Sequence, residues 1–129
     1  MKVTLITVCF NSAATLSTAI DSVLSQKGVD IEYIIVDGGS SDGTVEVLKD
    51  YENKLLNLST IQPFNFRWLS EKDNGMYDAI NKGIKMATGD VVGILNADDV
   101  LATDETLKKI VECFSRKERK DRKDGNKKE

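Results

Sequence analysis

The sequence predicts an α/β protein, a three-layer sandwich around a mostly parallel sheet. Three observations carry that expectation. Short apolar runs rich in β-branched residues alternate with stretches of helical periodicity. The runs are apolar almost without interruption, as strands covered on both faces must be. And the polar clusters fall directly after the runs, at the ends of the expected strands.

Val3–Phe10 is the first such run, followed by Asn11 and Ser12, both good helix N-caps. Leu16, Ala19, Ile20, Val23 and Leu24 then fall on one helical stripe that closes near Gly28. Ile31–Val36 is a second buried strand, and Asp37 to Thr44 form a turn-rich loop before a helix opening with Val45, Val47 and Leu48. From Tyr51 to Asn65 the pattern predicts a connector, with an insertion around Pro63. Phe66–Leu69 is a shorter third strand. Met76, Ile80, Gly83, Ile84 and Ala87 make another helical stripe, with Gly89 as its C-terminal cap. Val91–Leu95 is a fourth buried strand leading into Asn96-Ala97-Asp98-Asp99. Thr103 or Asp104 caps a last helix that turns Leu107, Ile110, Val111 and Phe114 inward.

Composition narrows the chemistry. At 129 residues, 40 % hydrophobic and 30 % charged, the chain suits one globular domain. No apolar run approaches the ~20 residues that cross a bilayer, and the short, Thr-interrupted start reads as a strand rather than a leader. Histidine is absent, which removes Ser-His and Cys-His nucleophiles and His-bound zinc. Cys9 and Cys113 stand in unrelated contexts and are expected as reduced thiols of a cytoplasmic protein. The net charge of −3 conceals a split: residues 115–129 carry 8 Lys/Arg and 4 Asp/Glu, leaving the body at −7. An acidic body is not a nucleic-acid binder, whose affinity comes from neutralised phosphates. Two parts are therefore expected, a domain over 1–114 and a charged, solvated tail over 115–129.

In a parallel α/β sheet, ligands bind beyond the carboxyl ends of the strands. Four polar clusters share that rim: Phe10-Asn11, Asp37-Gly38-Gly39-Ser40, Glu71 to Gly75, and Asn96 to Asp99. Asp98 and Asp99 supply hard oxygens suited to Mg²⁺ or Mn²⁺, or else cap the following turn. Asp37 is either an acceptor for a ligand N–H or an Asp-Gly turn former. Phe10 offers a face for stacking or a filler for the core. No dinucleotide-binding Gly-x-Gly-x-x-Gly follows the first strand, and no P-loop motif occurs.

Taken together the clusters resemble the family 2 glycosyltransferases of GT-A fold. The matches are Val8-Cys9-Phe10-Asn11, then Ile35 to Thr44, then Asp73-Asn74-Gly75 with Ala79, Asn81, Gly83, Ala87 and Gly89, and finally Leu95 to Asp99. The resemblance runs from about Val3 to about Val100. It implies a donor site of Val8, Phe10, Asn11, Asp37, Gly38, Gly39, Ser40, Lys72, Asp73, Gly75, Asn96 and Ala97. In it Phe10 lies against the base, Asp37 accepts from the base's ring N–H, as suits uridine or thymidine, and residue 96 touches the ribose. Lys72 and Asp73 face the phosphates or sugar. Asp98 takes the metal carboxylate's place, holding Mn²⁺ or Mg²⁺ at the diphosphate. The implied reaction is transfer with inversion, from a nucleotide-sugar donor to a saccharide or lipid-linked acceptor.

Two departures qualify the resemblance. Asn96 stands where the family has an aspartate; its amide still pairs with ribose hydroxyls, at the loss of one charge. The family's acceptor-activating carboxylate lies beyond the point where this chain turns into its charged tail, so the chain is expected to be truncated. Asp99 is then the nearest candidate base. Further expectations are a bacterial-type enzyme in the cytoplasm or at the inner face of the membrane, and self-association through an uncovered apolar face. The alternatives are a donor-binding unit without turnover, or a nucleotidyltransferase. Against the latter, no Gly-rich, basic loop follows the first strand to grip a triphosphate.

Overall fold

The structure, a computed structural model, describes residues 2–58 and 65–114. The insertion around Pro63 and the charged tail lie outside the described residues. Four strands, β1 (Lys2–Cys9), β2 (Asp30–Asp37), β3 (Asn65–Ser70) and β4 (Val91–Ile94), alternate with helices α1 (Ala13–Leu24), α2 (Thr44–Leu58) and α3 (Met76–Met86). A fourth helix, α4, occupies 106–114. The sheet order is β3-β2-β1-β4, and every described pairing is parallel. From β1 the chain steps outward to β2 and β3, then returns to the far side of β1. The gap between the ends of β1 and β4 is therefore the switch point at which such sheets bind ligands.

Strand alternation divides the core. Leu5, Cys9, Ile31, Tyr33 and Ile35 face α1, α2 and α4, packing on Leu16, Ile20, Val23, Leu48 and Leu107. Ile6, Ile34 and Val36 face α3 through Ala79. A Cβ on Gly83 would sit 2.7 Å from Ile6 Cγ2, so glycine is what lets α3 lie this close to β1.

Several elements differ from expectation for identifiable reasons. The reach from Tyr51 is not a connector: α2 continues to Leu58, with Tyr51 buried and its hydroxyl donating 2.6 Å to Asp21 of α1. Gly89 does not cap α3, which closes at Ala87 in extended conformation. Glycine is required at 89 because a Cβ there would lie 2.5 Å from Thr4 Oγ1 and 2.7 Å from Thr4 N. Neither Asn11 nor Ser12 caps α1 with its own side chain; Ser12 holds the cap position, but Asp42 accepts from Ala13 N–H at 3.2 Å and Thr44 Oγ1 from Ser12 N–H at 2.9 Å. The cap is supplied by the next loop. Ile110 and Phe114 on α4 are 40 % and 43 % exposed rather than inward, leaving Leu107 as its buried anchor. β4 is an edge strand, and the face that α3 covers over β1 and β2 runs past α3 to Val92 and Ile94, 44 % and 49 % exposed. Among the described residues no helix is long and apolar enough to cross a membrane.

At the amino end of the sheet, Glu32 is a buried carboxylate that ties three strands together. It accepts from Thr4 Oγ1 at 2.9 Å, Thr88 N–H at 2.8 Å, Thr88 Oγ1 at 2.9 Å and Asn65 Nδ2 at 3.3 Å, with Arg67 and Lys2 at 3.7 and 4.0 Å. Burial raises its pKa, but the Thr88 and Thr4 bonds and the Arg67 charge outweigh that and hold it below the ordinary value. A depressed carboxyl contributes stability fully present above about pH 4.3 and lost as pH falls through the lowered value. Glu32→Ala should therefore cost about 3 kcal/mol at neutral pH, read by urea unfolding. The deficit relative to the parent should shrink as the pH is lowered through the acid limb.

Candidate functional site

The carboxyl ends of the four strands converge, and the loop after β2 organises them. Asp37, the last residue of β2, is fully buried. Its Oδ2 accepts from Gly39 N–H at 3.2 Å, Ser40 N–H at 2.9 Å and Ser70 Oγ at 2.8 Å; its Oδ1 accepts from the Ser40 hydroxyl and from Cys9 Sγ at 3.5 Å. Burial raises the Asp37 pKa, yet the Ser40, Ser70 and Cys9 bonds prevail and lower it. The same burial, beside the Asp37 charge, pushes the Cys9 thiol far up, so it stays protonated and unreactive. Backbone bonds complete the junction: Gly38 N–H to Cys9 O at 2.9 Å and Glu71 N–H to Asp37 O at 3.0 Å.

Two adjoining cavities open on this rim, and Phe10, 62 % exposed, lines both. The first, about 430 Å³, lies between the ends of β1 and β4, lined by Val8, Cys9, Phe10, Ser12, Thr15, Met76, Asn96, Ala97 and Asp98. The second, about 510 Å³, is lined by Phe10, Gly38, Gly39, Lys72, Asp73 and Gly75. Gly39 has φ +88° and Gly75 φ +115°, conformations that favour glycine, and they bend both loops around the second cavity. Its far wall is braced from α3: Lys82 pairs with Glu71 at 3.0 Å and Asp78 at 3.5 Å, and Asp73 Oδ1 accepts from Gly75 N–H at 3.0 Å.

Of the residues expected to form a site, Val8, Phe10, Gly38, Gly39, Lys72, Asp73, Gly75, Asn96, Ala97 and Asp98 line these cavities. Asn11, Asp37, Ser40 and Asp99 do not. Asn11, at φ +49°, accepts from Ser41 N–H at 2.9 Å and gives its own N–H to Ser40 Oγ at 2.7 Å, so these residues shape the loop behind the wall. Asp99 is exposed, its N–H closing a turn on Asn96 O at 3.0 Å. Sequence reasoning missed Cys9, Ser12, Thr15 and Met76. The signal for Met76 was its position, an apolar residue opening a helix directly after a glycine-bent loop.

The donor set on the β4 loop is sparse. Among the described residues no three His, Cys, Asp or Glu side chains come close enough to hold a metal ion. Asp98 lines the first cavity and is exposed. One protein carboxylate with open positions suits Mg²⁺ or Mn²⁺ completed by phosphate oxygens and water.

Asp37→Ala would orphan several buried donors at once. It should lower stability by about 2–4 kcal/mol, measured by thermal or urea unfolding. Stability equal to the parent's would mean the loop holds its shape without this carboxylate.

Comparison with known proteins agrees with this architecture. The sequence profile of glycosyl transferase family 2 matches residues 4–121. An uncharacterized glycosyltransferase from Nostoc sp. is 38 % identical over 114 residues, 88 % of this chain and 33 % of the relative. S. aureus TarS 1–349 in complex with UDP superposes with a TM-score of 0.75 at 25 % identity, over 90 % of this chain and 32 % of that TarS fragment. The mannosyltransferase PcManGT from Pyrobaculum calidifontis, in complex with GDP-Man and Mn²⁺, gives a TM-score of 0.71 at 26 % identity, over 81 % and 30 %. This chain thus spans about a third of the length of the relatives it matches. With a parallel GT-A-type sheet, a rim of loops at its switch point and a profile match over most of its length, the chain belongs to glycosyl transferase family 2.

Proposed function

We propose that this chain forms the donor side of a metal-assisted sugar transfer from a UDP- or dTDP-type nucleotide sugar. The acceptor would be a saccharide or lipid-linked, and the transfer would proceed with inversion. The observation that carries the reading is the joining of two cavities at one rim through Phe10. One holds the Asn96–Asp98 turn, the other the glycine-lined Lys72–Asp73 wall. Such a cleft accommodates a base, a ribose and a diphosphate-linked sugar in series.

In this arrangement the base lies on the exposed face of Phe10. Asn96 meets the ribose hydroxyls, and Lys72 supplies positive charge toward phosphate or sugar. Asp98 would hold the Mn²⁺ or Mg²⁺. What the ion supplies when bound is Lewis acidity toward the departing diphosphate. The α1 amino terminus is a weaker anchor for phosphate, because Asp42 and Thr44 already occupy its first amides. TarS in complex with UDP and PcManGT in complex with Mn²⁺ lend support by likeness.

One observation favours a second reading for the chain as it stands, donor binding without turnover. Asp99, the candidate base, lines neither cavity. Removing the acceptor proton and positioning both reactants account for much of an enzyme's acceleration.

Two measurements check these readings. Mn²⁺ should tighten UDP or dTDP binding in calorimetry by roughly tenfold or more, and Asp98→Ala should abolish that dependence; a variant with unchanged metal dependence would sink the assignment. Chromatography of the same samples with UDP-sugar should show slow hydrolysis only. Robust transfer to a supplied saccharide would instead reveal a base among the acidic residues after β4.

A further inference from the structure

The donor reading leaves open what recognises the base. Asp37, the obvious carboxylate from sequence, has no exposed surface, and five donors of its own fold engage its two oxygens. The second cavity has another carboxylate on its wall. Asp73 reaches back across the rim until its Oδ2 lies 2.8 Å from where a Cβ on Gly38 would be, with Cγ at 3.3 Å and Oδ1 at 3.4 Å. The Asp73 carboxylate therefore fills the place a side chain at 38 would take. Its Oδ1 accepts from Gly75 N–H, whereas among the described residues no hydrogen bond engages Oδ2. Phe10, Gly38 and Asp73 line one cavity.

We infer that Asp73, standing in the space that Gly38 leaves open, is the residue that selects the nucleobase by accepting from its ring N–H. The inference rests on the donor reading above and deepens it. One oxygen fixed in the loop and one free make Asp73 a single-point acceptor. That matches the lone ring N–H of uracil or thymine. Guanine presents two adjacent donors on that edge and calls for both oxygens of one carboxylate, so it is the poorer fit. The open space at Gly38 is the enabling condition, since a bulkier residue there would displace the Asp73 carboxylate. Gly38 itself is not in a left-handed conformation, so an L side chain is conformationally permitted and only the contact with Asp73 opposes it.

The test uses the whole chain with Mn²⁺, and calorimetry with UDP, its N3-methyl derivative and GDP. The parent should bind UDP roughly tenfold or more tightly than either comparison ligand. Asp73→Ala should erase the preference for UDP over N3-methyl-UDP by weakening UDP. In that background Gly38→Asp, which grows a carboxylate from the neighbouring wall into the vacated space, should restore part of it. Asp37→Ala should weaken UDP and N3-methyl-UDP in equal proportion, through the loop. Equal losses for both ligands in Asp73→Ala, or an Asp37→Ala loss confined to UDP, would overturn the inference. A parent that binds UDP without sensing N3-methylation defeats Asp73 alone; a parent that binds no nucleoside diphosphate defeats the donor reading first, and this one with it.

Discussion

A single buried carboxylate joins three of the four chain segments that meet at the rim. Asp37 gathers the end of β1 through Cys9, the loop after β2 through Gly39 and Ser40, and the end of β3 through Ser70. An ionised group with no solvent contact persists only where hydrogen bonds replace its hydration, and here five donors do so. Because those donors come from three separate segments, satisfying the charge and fixing the loops are one event. Phe10 follows Cys9 directly, Gly38 gives its own N–H to Cys9 O, and Lys72 follows Glu71, whose N–H bonds to Asp37 O. Phe10, Gly38, Gly39 and Lys72 on the second cavity's wall inherit their positions from it.

Glu32 plays the corresponding part at the other end of the same strand, joining β1, β3 and the turn before β4. β2 is thus pinned at both ends by carboxylates and between them by an apolar segment, Tyr33 to Val36, without solvent contact. The division suits the fold's task. The apolar middle keeps the sheet together, and the two polar junctions decide how the connecting loops leave it.

The strands were legible in the sequence because β-branched apolar runs have few other uses, and the switch-point rim followed from their alternation with helices. What escaped was whatever depended on three-dimensional neighbours. The middle of α2, Lys49 to Lys54, is charged or polar except for Tyr51, so its periodicity faded while Tyr51 still anchored it to α1. Gly89 carried the mark of a cap, yet it serves a close approach to Thr4, 85 residues away in sequence. The apolar residues of β4 and α4 announced burial, but nothing in their own order says whether a neighbouring element covers them. Asp37 and Asp73 were indistinguishable in kind. Only the fold turns the first carboxylate inward and brings the second across the rim to Gly38.

The open edge of the sheet bears on how this chain would behave in concentrated solution. β4 offers a further strand only four residues of backbone, with Gly93 in their midst, beside the half-bare side chains of Val92 and Ile94. Adhesion there draws on apolar area rather than on a long ladder of unpaired amides, and short edges template strand addition poorly. Contact between copies would accordingly be lateral, reversible and strengthened by warming or by salting-out ions. Ordered fibril growth would find little purchase on so short an edge.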